Sequence, residues 1–92
     1  MKEFDATIKH AVGLHARPAA RFVKIAKGFE STIRITNNSR GSDEVDAKSL
    51  VKVIKIAAAQ NHEVHIRAEG SDEEEAAKAL EEFLTQVPEE EQ

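Results

Sequence analysis

Three stretches of this chain alternate residue by residue between apolar and polar side chains, and that alternation limits the fold more than any other feature. Phe4, Ala6 and Ile8 alternate with Glu3, Asp5, Thr7 and Lys9. Ile33 and Ile35 are the apolar positions of residues 32–36, and Val64, Ile66 and Ala68 those of residues 63–68, where His65 and Arg67 point the other way. A period of two is that of a strand with one buried face. A shorter strand over 44–47 uses Val45 and Ala47 in the same manner. A sheet made of such strands has one face to cover, so its helices must lie on one side of it.

The intervening segments supply those helices. Residues 16–27 carry Ala19, Phe22, Val23 and Ala26 as a buried stripe, with Arg21, Lys24 and Lys27 outward. Pro18 falls in the first turn, where its missing N–H has no helical partner to lose, and Gly28 ends the helix. Residues 37–43 are dense in turn formers and read as a hairpin loop. A short helix follows Ser49, its N-cap, with Val53, Ile56 and Ala57 toward the core and a turn at Asn61-His62. Ser71-Asp72-Glu73-Glu74 reads as a capping box opening a last helix to about Gln86, which buries Ala76, Leu80, Phe83 and Leu84. The predicted order is β-α-β-β-α-β-α. That is an α+β fold, a four-stranded antiparallel sheet with three helices on one face.

Ninety-two residues suit one domain, set here at 1–88, with 89–92 as an acidic tail. With no cysteine, disulfides, thiolate metal sites and cysteine nucleophiles are excluded. His10, His62 and His65 lack ligand-like spacing and read as surface residues, so neither a metal nor a cofactor is expected. No apolar run approaches the ~18 residues of a membrane span, and a cytoplasmic protein without membrane insertion is the expectation. The net charge of -4 hides an asymmetry. Between Ala6 and Ser42 the basic residues Lys9, Arg17, Arg21, Lys24, Lys27, Arg34 and Arg40 face Glu30 alone, whereas the ten acids from Glu69 onward face only Lys78. An acidic balance with few aromatics argues against nucleic acid, and the basic half suits an acidic or phosphorylated protein partner.

The chemistry-bearing stretch is Gly13-Leu14-His15-Ala16-Arg17-Pro18-Ala19-Ala20. An ordinary imidazole has a pKa near ~6.5, so His15 offers a neutral nucleophilic nitrogen at a helix start. There the N–H groups of Ala16 and Arg17 and the Arg17 guanidinium could solvate a phosphoryl group. No P-loop, general acid or metal triad accompanies it, which suits a group carrier whose partners supply the catalysis. From the residues alone, His15 is equally an ordinary cap or loop histidine.

The motif resembles the active-site sequence of the HPr family, the histidine-containing phosphocarriers of the bacterial phosphoenolpyruvate-dependent sugar phosphotransferase system. The similarity continues through Phe22-Val23-Lys24, Ala26-Lys27-Gly28-Phe29, Asp46-Ala47-Lys48-Ser49-Leu50 and Ala68-Glu69-Gly70. It implies an open-faced β-sandwich and a carrier that is not itself an enzyme. His15 would be phosphorylated at Nδ1 by enzyme I and pass the group to the IIA domain of a sugar permease, with Arg17 assisting. It also implies that Arg17, Ala20, Lys24, Lys27, Leu50, Val51, Lys52 and Ile54 bind partners, acting as a monomer. Ser49 aligns with the serine that an HPr kinase/phosphorylase modifies in one branch of the family, and it is also explained by capping. Leu50, Val51 and Ile54 mark an interface if exposed and core if they face the sheet.

Three positions depart from the family pattern. Val12 stands where many members have a polar residue, the loop at 40–44 is about three residues longer than usual, and 57–61 lacks the usual glycines. Two other readings stay open: a specialised carrier for nitrogen control or dihydroxyacetone phosphorylation, and a small α+β interaction domain whose His15 is never phosphorylated.

Overall fold

The computed structural model of the chain describes residues 1–10, 13–14 and 16–86. Val12, His15 and the 89–92 tail lie outside the described residues. The elements follow the expected order: β1 (Lys2–Thr7), α1 (Ala16–Lys27), β2 (Thr32–Asn37), β3 (Val45–Asp46), α2 (Leu50–Lys55), β4 (Glu63–Glu69) and α3 (Glu73–Thr85). All strand pairs are antiparallel, in the order β1-β4-β2-β3. The late strand β4 thus lies between the two early strands, Ala6 opposite Val64 on one side and Ile35 opposite Ile66 on the other. The alternating residues do what their period demands. Ala6, Ile33, Ile35, Val64, Ile66 and Ala68 are buried beneath the helices, and the opposite face of the sheet is open and charged.

Helix α1 sets Ala19, Phe22, Val23 and Ala26 into that core, and Leu80 and Leu84 of α3 and Val53 of α2 complete it. Each large side chain so buried contributes about 1.5–3 kcal/mol. Phe83, expected in the core, is only half-buried, with its ring centroid 6.4 Å from that of Phe22.

Several expectations need correction. His10 is not a surface residue: it is 1% exposed, its ring lies 4.5 Å from the Phe83 ring, and Nε2 lies 2.8 Å from the Phe83 carbonyl oxygen. A carbonyl can only accept, so Nε2 carries the hydrogen. His62 is half-buried, while His65 lies on the open face. Asn37 is not a loop residue but the fully buried end of β2.

The capping box is replaced by a longer-range contact. Asp72 caps no N–H of its own helix; its carboxylate accepts from the Glu30 N–H at 2.8 Å, the Ser31 N–H at 3.0 Å and the Ser31 hydroxyl. Those bonds hold its carboxyl below the ordinary carboxylate range, the Ser31 hydroxyl contributing most. Glu73 instead accepts from the Gly70 N–H at 3.1 Å. The α3 terminus is thereby fastened to the β2 entrance.

The turn after α2 also differs. Ala57, expected inside, is exposed with φ at +50°, and Ala58 is buried in its place. Asn61 adopts φ of +72°. Both take the left-handed conformation that glycine takes freely and other residues adopt at a cost. The chain therefore makes a glycine-type turn without glycines, and Ala58 turns inward as a result.

That turn positions the entrance to the His15 motif. Leu14, itself buried, donates its N–H to the Ala58 carbonyl at 2.7 Å, and Gly13 donates to the His10 carbonyl at 3.0 Å. Gly13 has φ of +67°, and a Cβ there would stand 2.6 Å from the Ala59 Cα and closer still to the Ala58 oxygen. Both obstacles are backbone and cannot swing aside.

On the open face, His65 stands opposite Asp5 across the β1–β4 ladder. Its Nδ1 lies 2.8 Å from the Asp5 carboxylate and its Nε2 lies 3.0 Å from that of Glu3. Both ring nitrogens can donate at once only in the imidazolium form, and the Glu3 bond first, then that of Asp5, raise its pKa above the usual histidine value.

Two predictions follow from these contacts. Because folded His65 holds its proton more tightly than the unfolded chain, its contribution is full below the ordinary histidine pKa and is lost as pH rises through the folded value. Exposed pairs are worth about 0.2–1 kcal/mol each, so His65→Gln should lower the melting temperature at pH 5.5 and approach wild type at pH 9. Gly13→Ala combines a positive-φ penalty with a backbone clash, and should cost about 2–4 kcal/mol in chemical denaturation while Gly41→Ala, which meets no atom, costs less.

Candidate functional site

The N-terminal end of α1 is built differently from that of α3. Helix starts favour acidic residues, because the unpaired N–H groups there carry partial positive charge. The first turn of α3 has Glu73, Glu74 and Glu75. The first turn of α1 has no acid at all, and Arg17 instead. A cation in that position opposes the helix field by about 0.3–1 kcal/mol unless an anion sits nearby. Pro18 is buried beside it, which fixes the direction in which the chain enters the helix. His15, whose position follows Leu14 in the chain, is outside the described residues. The entrance on one side (Gly13, Leu14) and the helix on the other (from Ala16) are both firmly seated.

Beyond this terminus, α1 and α2 pack side by side and expose a mixed surface. Ala20, Val23, Lys24, Lys27 and Leu50 line a shallow concavity of about 260 Å³. Leu50 is 40% and Val51 66% exposed, both large apolar side chains in water. Lys24 and Lys27 of α1 and Lys52 and Lys55 of α2 are exposed around them, as are Arg17 and Ala20. Of the expected partner residues, Ala20, Lys24, Lys27 and Leu50 line this one concavity. Ile54 differs from the others: it is half-buried and packs against the core. Val53 points fully inward. This six-residue helix therefore serves core and surface with successive side chains, as its period of 3.6 allows.

Ser49 is the N-cap of α2, its Oγ accepting from the Lys52 N–H at 3.4 Å. Lys48 reaches back to donate to the Phe29 carbonyl at 2.7 Å, which ties the start of α2 to the end of α1. Sequence reasoning missed the supports behind the site: the His10–Phe83 bond, the Asp72 clasp and the buried Asn37. Histidines, aspartates and asparagines in polar surroundings carry no local signal of burial. Gly13, preceding the motif, signals backbone freedom in the sequence, and its close approach to the Ala58–Ala59 backbone is visible only in the fold.

Among the described residues, no group of three histidine, cysteine, aspartate or glutamate side chains is arranged to hold a metal ion. Among the same residues, no helix is long and apolar enough to cross a membrane.

Comparison with known proteins matches this arrangement. The family model for the PTS HPr component phosphorylation site matches residues 2–86. A multiphosphoryl transfer protein of Vibrio cholerae is 49% identical over 73 residues, which are 79% of this chain and 18% of that protein. The phosphocarrier protein HPr of Pseudomonas aeruginosa is 37% identical over 84 residues, 91% of each chain. The chain thus spans less than a fifth of the multiphosphoryl transfer proteins it matches and most of the separate phosphocarriers. Among solved structures, HPr from Thermoanaerobacter tengcongensis superposes with a TM-score of 0.85 at 43% identity, covering 91% of both chains. On the family match across residues 2–86 and the shared open-faced α+β fold, the chain belongs to the HPr family of phosphocarriers of the bacterial phosphotransferase system.

Proposed function

We propose that this chain accepts a phosphoryl group on His15 from enzyme I, charged by phosphoenolpyruvate, and delivers it to the IIA domain of a sugar permease. The observation that carries the reading is the match of the phosphorylation-site family model over a stretch holding His15-Ala16-Arg17-Pro18 at the start of α1. A neutral ring nitrogen of His15 attacks the phosphorus, the new P–N bond forms as the bond to the donor breaks, and transfer to the acceptor reverses the process. The N–H groups of Ala16 and Arg17 and the Arg17 guanidinium balance the charge of the bound phosphoryl group. The chain is a substrate of its partners, not an enzyme, and needs no cofactor.

The exposed Leu50 and Val51, with Ala20, Lys24 and Lys27 lining the concavity at Leu50 and Arg17 and Lys52 exposed on the same two helices, suit docking on an acidic surface with an apolar centre. Donor and acceptor would use this one face in turn, which requires the two complexes to exclude each other. The working unit in this reading is a cytoplasmic monomer, one domain over 1–88 with 89–92 as an acidic tail. Phosphorylation of Ser49 by an HPr kinase/phosphorylase would add negative charge beside Leu50 and Val51 and oppose that docking. The greater identity to multiphosphoryl transfer proteins favours a second reading within the family, a carrier dedicated to one specialised branch. The IIA-type acceptor that takes the phosphoryl group fastest distinguishes the two.

Incubation with enzyme I and phosphoenolpyruvate should add the mass of one acid-labile phosphoryl group, and His15→Ala should abolish the gain; a gain that persists in His15→Ala removes His15 from the role. Arg17→Ala should keep the fold and slow transfer roughly 10–100-fold, the value of a charge-assisted hydrogen bond, as measured by rapid-quench kinetics.

A further inference from the structure

The turn that seats Gly13 and Leu14 is itself held from behind by two polar side chains. His62 Nδ1 lies 3.1 Å from the Ala59 nitrogen and 3.2 Å from Asn37 Nδ2. Both neighbours donate N–H, so Nδ1 is the acceptor, sharing its lone pair between them, and carries no hydrogen. The Asn37 amide is oriented by its other contacts. Its Nδ2 donates to the Ile56 carbonyl at 2.9 Å, and its Oδ1 accepts from the Arg40 N–H at 3.3 Å. Asn37 is fully buried and anchored at the end of β2, where its own N–H donates to the Ser42 hydroxyl at 2.8 Å.

These bonds grip the turn at Ile56 and at Ala59, one on each side of Ala58. The Ala58 carbonyl is the acceptor for the Leu14 N–H, and the Ala59 backbone is the wall against Gly13. Between the grips lies Ala57 in its left-handed conformation, which an alanine does not hold unaided. We propose that His62 is a positioning residue for phosphoryl transfer: its Nδ1, with Asn37, fixes the 56–59 turn so that Ala58 and Ala59 hold Gly13 and Leu14 as the chain enters the His15 motif. The proposal rests on the reading of His15 as the acceptor. His62 touches neither donor nor phosphoryl group in this role; it acts through the Ala58 carbonyl.

The test compares three substitutions. His62→Asn keeps an acceptor on Cγ, where Nδ1 is attached; His62→Gln moves the oxygen one atom further out; His62→Ala removes the acceptor. Amide hydrogen exchange of Leu14 is read against that of Ile66 in the same sample, and transfer from phosphorylated enzyme I is resolved into kcat and KM. His62→Ala and His62→Gln should speed Leu14 exchange about tenfold with Ile66 unchanged, the effect of weakening one local restraint. They should lower kcat with KM for enzyme I retained, because the docking face is untouched. His62→Asn should restore both. Wild-type Leu14 protection in His62→Gln, or no rescue by His62→Asn, overturns the proposal. Should His62→Ala also lose Ile66 protection, the Asn and Gln variants decide: Leu14 protection in Asn alone sustains the proposal, and equal behaviour of the two overturns it. A wild-type chain that takes no phosphoryl group overturns the reading of His15 instead, and the Leu14 exchange still reports whether His62 holds the turn.

Discussion

There is no room for a methyl group between Gly13 and the Ala58–Ala59 backbone, and the organisation of the site depends on that closeness. The chain leaves β1 on the outer edge of the sheet and must reach the start of α1 above it. It does so by pressing its own backbone against a second backbone segment, with the Leu14 N–H bonded to the Ala58 carbonyl. A contact between two main chains cannot relax by changing a rotamer. The segment leading into the phosphorylation motif therefore inherits the rigidity of whatever holds residues 56–59.

What holds them is spread through the molecule. The Ile8 N–H donates to the His62 carbonyl and the Asn61 N–H to the Ile8 carbonyl, so the end of β1 and the approach to β4 are tied directly. Lys9 donates to the Leu84 carbonyl while His10 donates to that of Phe83, so the same stretch is fastened to the last turn of α3. These last carbonyls of a helix have no partner within it, and here they take the chain that leads to the site. The C-terminal helix thus does more than cover the sheet. It also fastens the chain just beyond β1, at Lys9 and His10.

Much of this was legible in the residues, and the part that was not has a common cause. Alternation of Ile33 with Arg34 or Ile66 with Arg67 reports which face of a strand is buried, because burial of apolar surface is a one-residue property. The stripe of Ala19, Phe22, Val23 and Ala26 reports α1 in the same way. Buried Val53 could be anticipated, but exposed Leu50 and Val51 and half-buried Ile54 only as alternatives, since apolar residues crowded on one short helix satisfy either a core or a partner. Buried His10 and Asn37 and the half-buried Asp72 escape a local reading because such a polar group is defined by its partner, and those partners lie far along the chain. Asp72 had an obvious local role in a capping box, yet three donors at Glu30 and Ser31 outcompete it. The left-handed Ala57 is invisible for a related reason: the alanines at 57–59 favour a helix locally, where tertiary bonds enforce a turn.

The two long helices show how one physical property serves opposite ends. Both begin with N–H groups that lack acceptors and with the positive end of a dipole. In α3 the chain answers internally, with three glutamates in the first turn and Glu73 bonded to the Gly70 N–H, and that terminus is electrostatically complete. In α1 the sequence withholds every acid, supplies Arg17 and removes one N–H with Pro18. Such a terminus is less stable alone than one with an acidic first turn, and an anion is what relieves it. The exposed Lys24, Lys27, Lys52 and Lys55 extend positive charge along α1 and α2, whereas the first turn of α3 is acidic. The same backbone property thus serves an internally capped end in α3 and, in α1, an end whose N–H groups and dipole favour an anion.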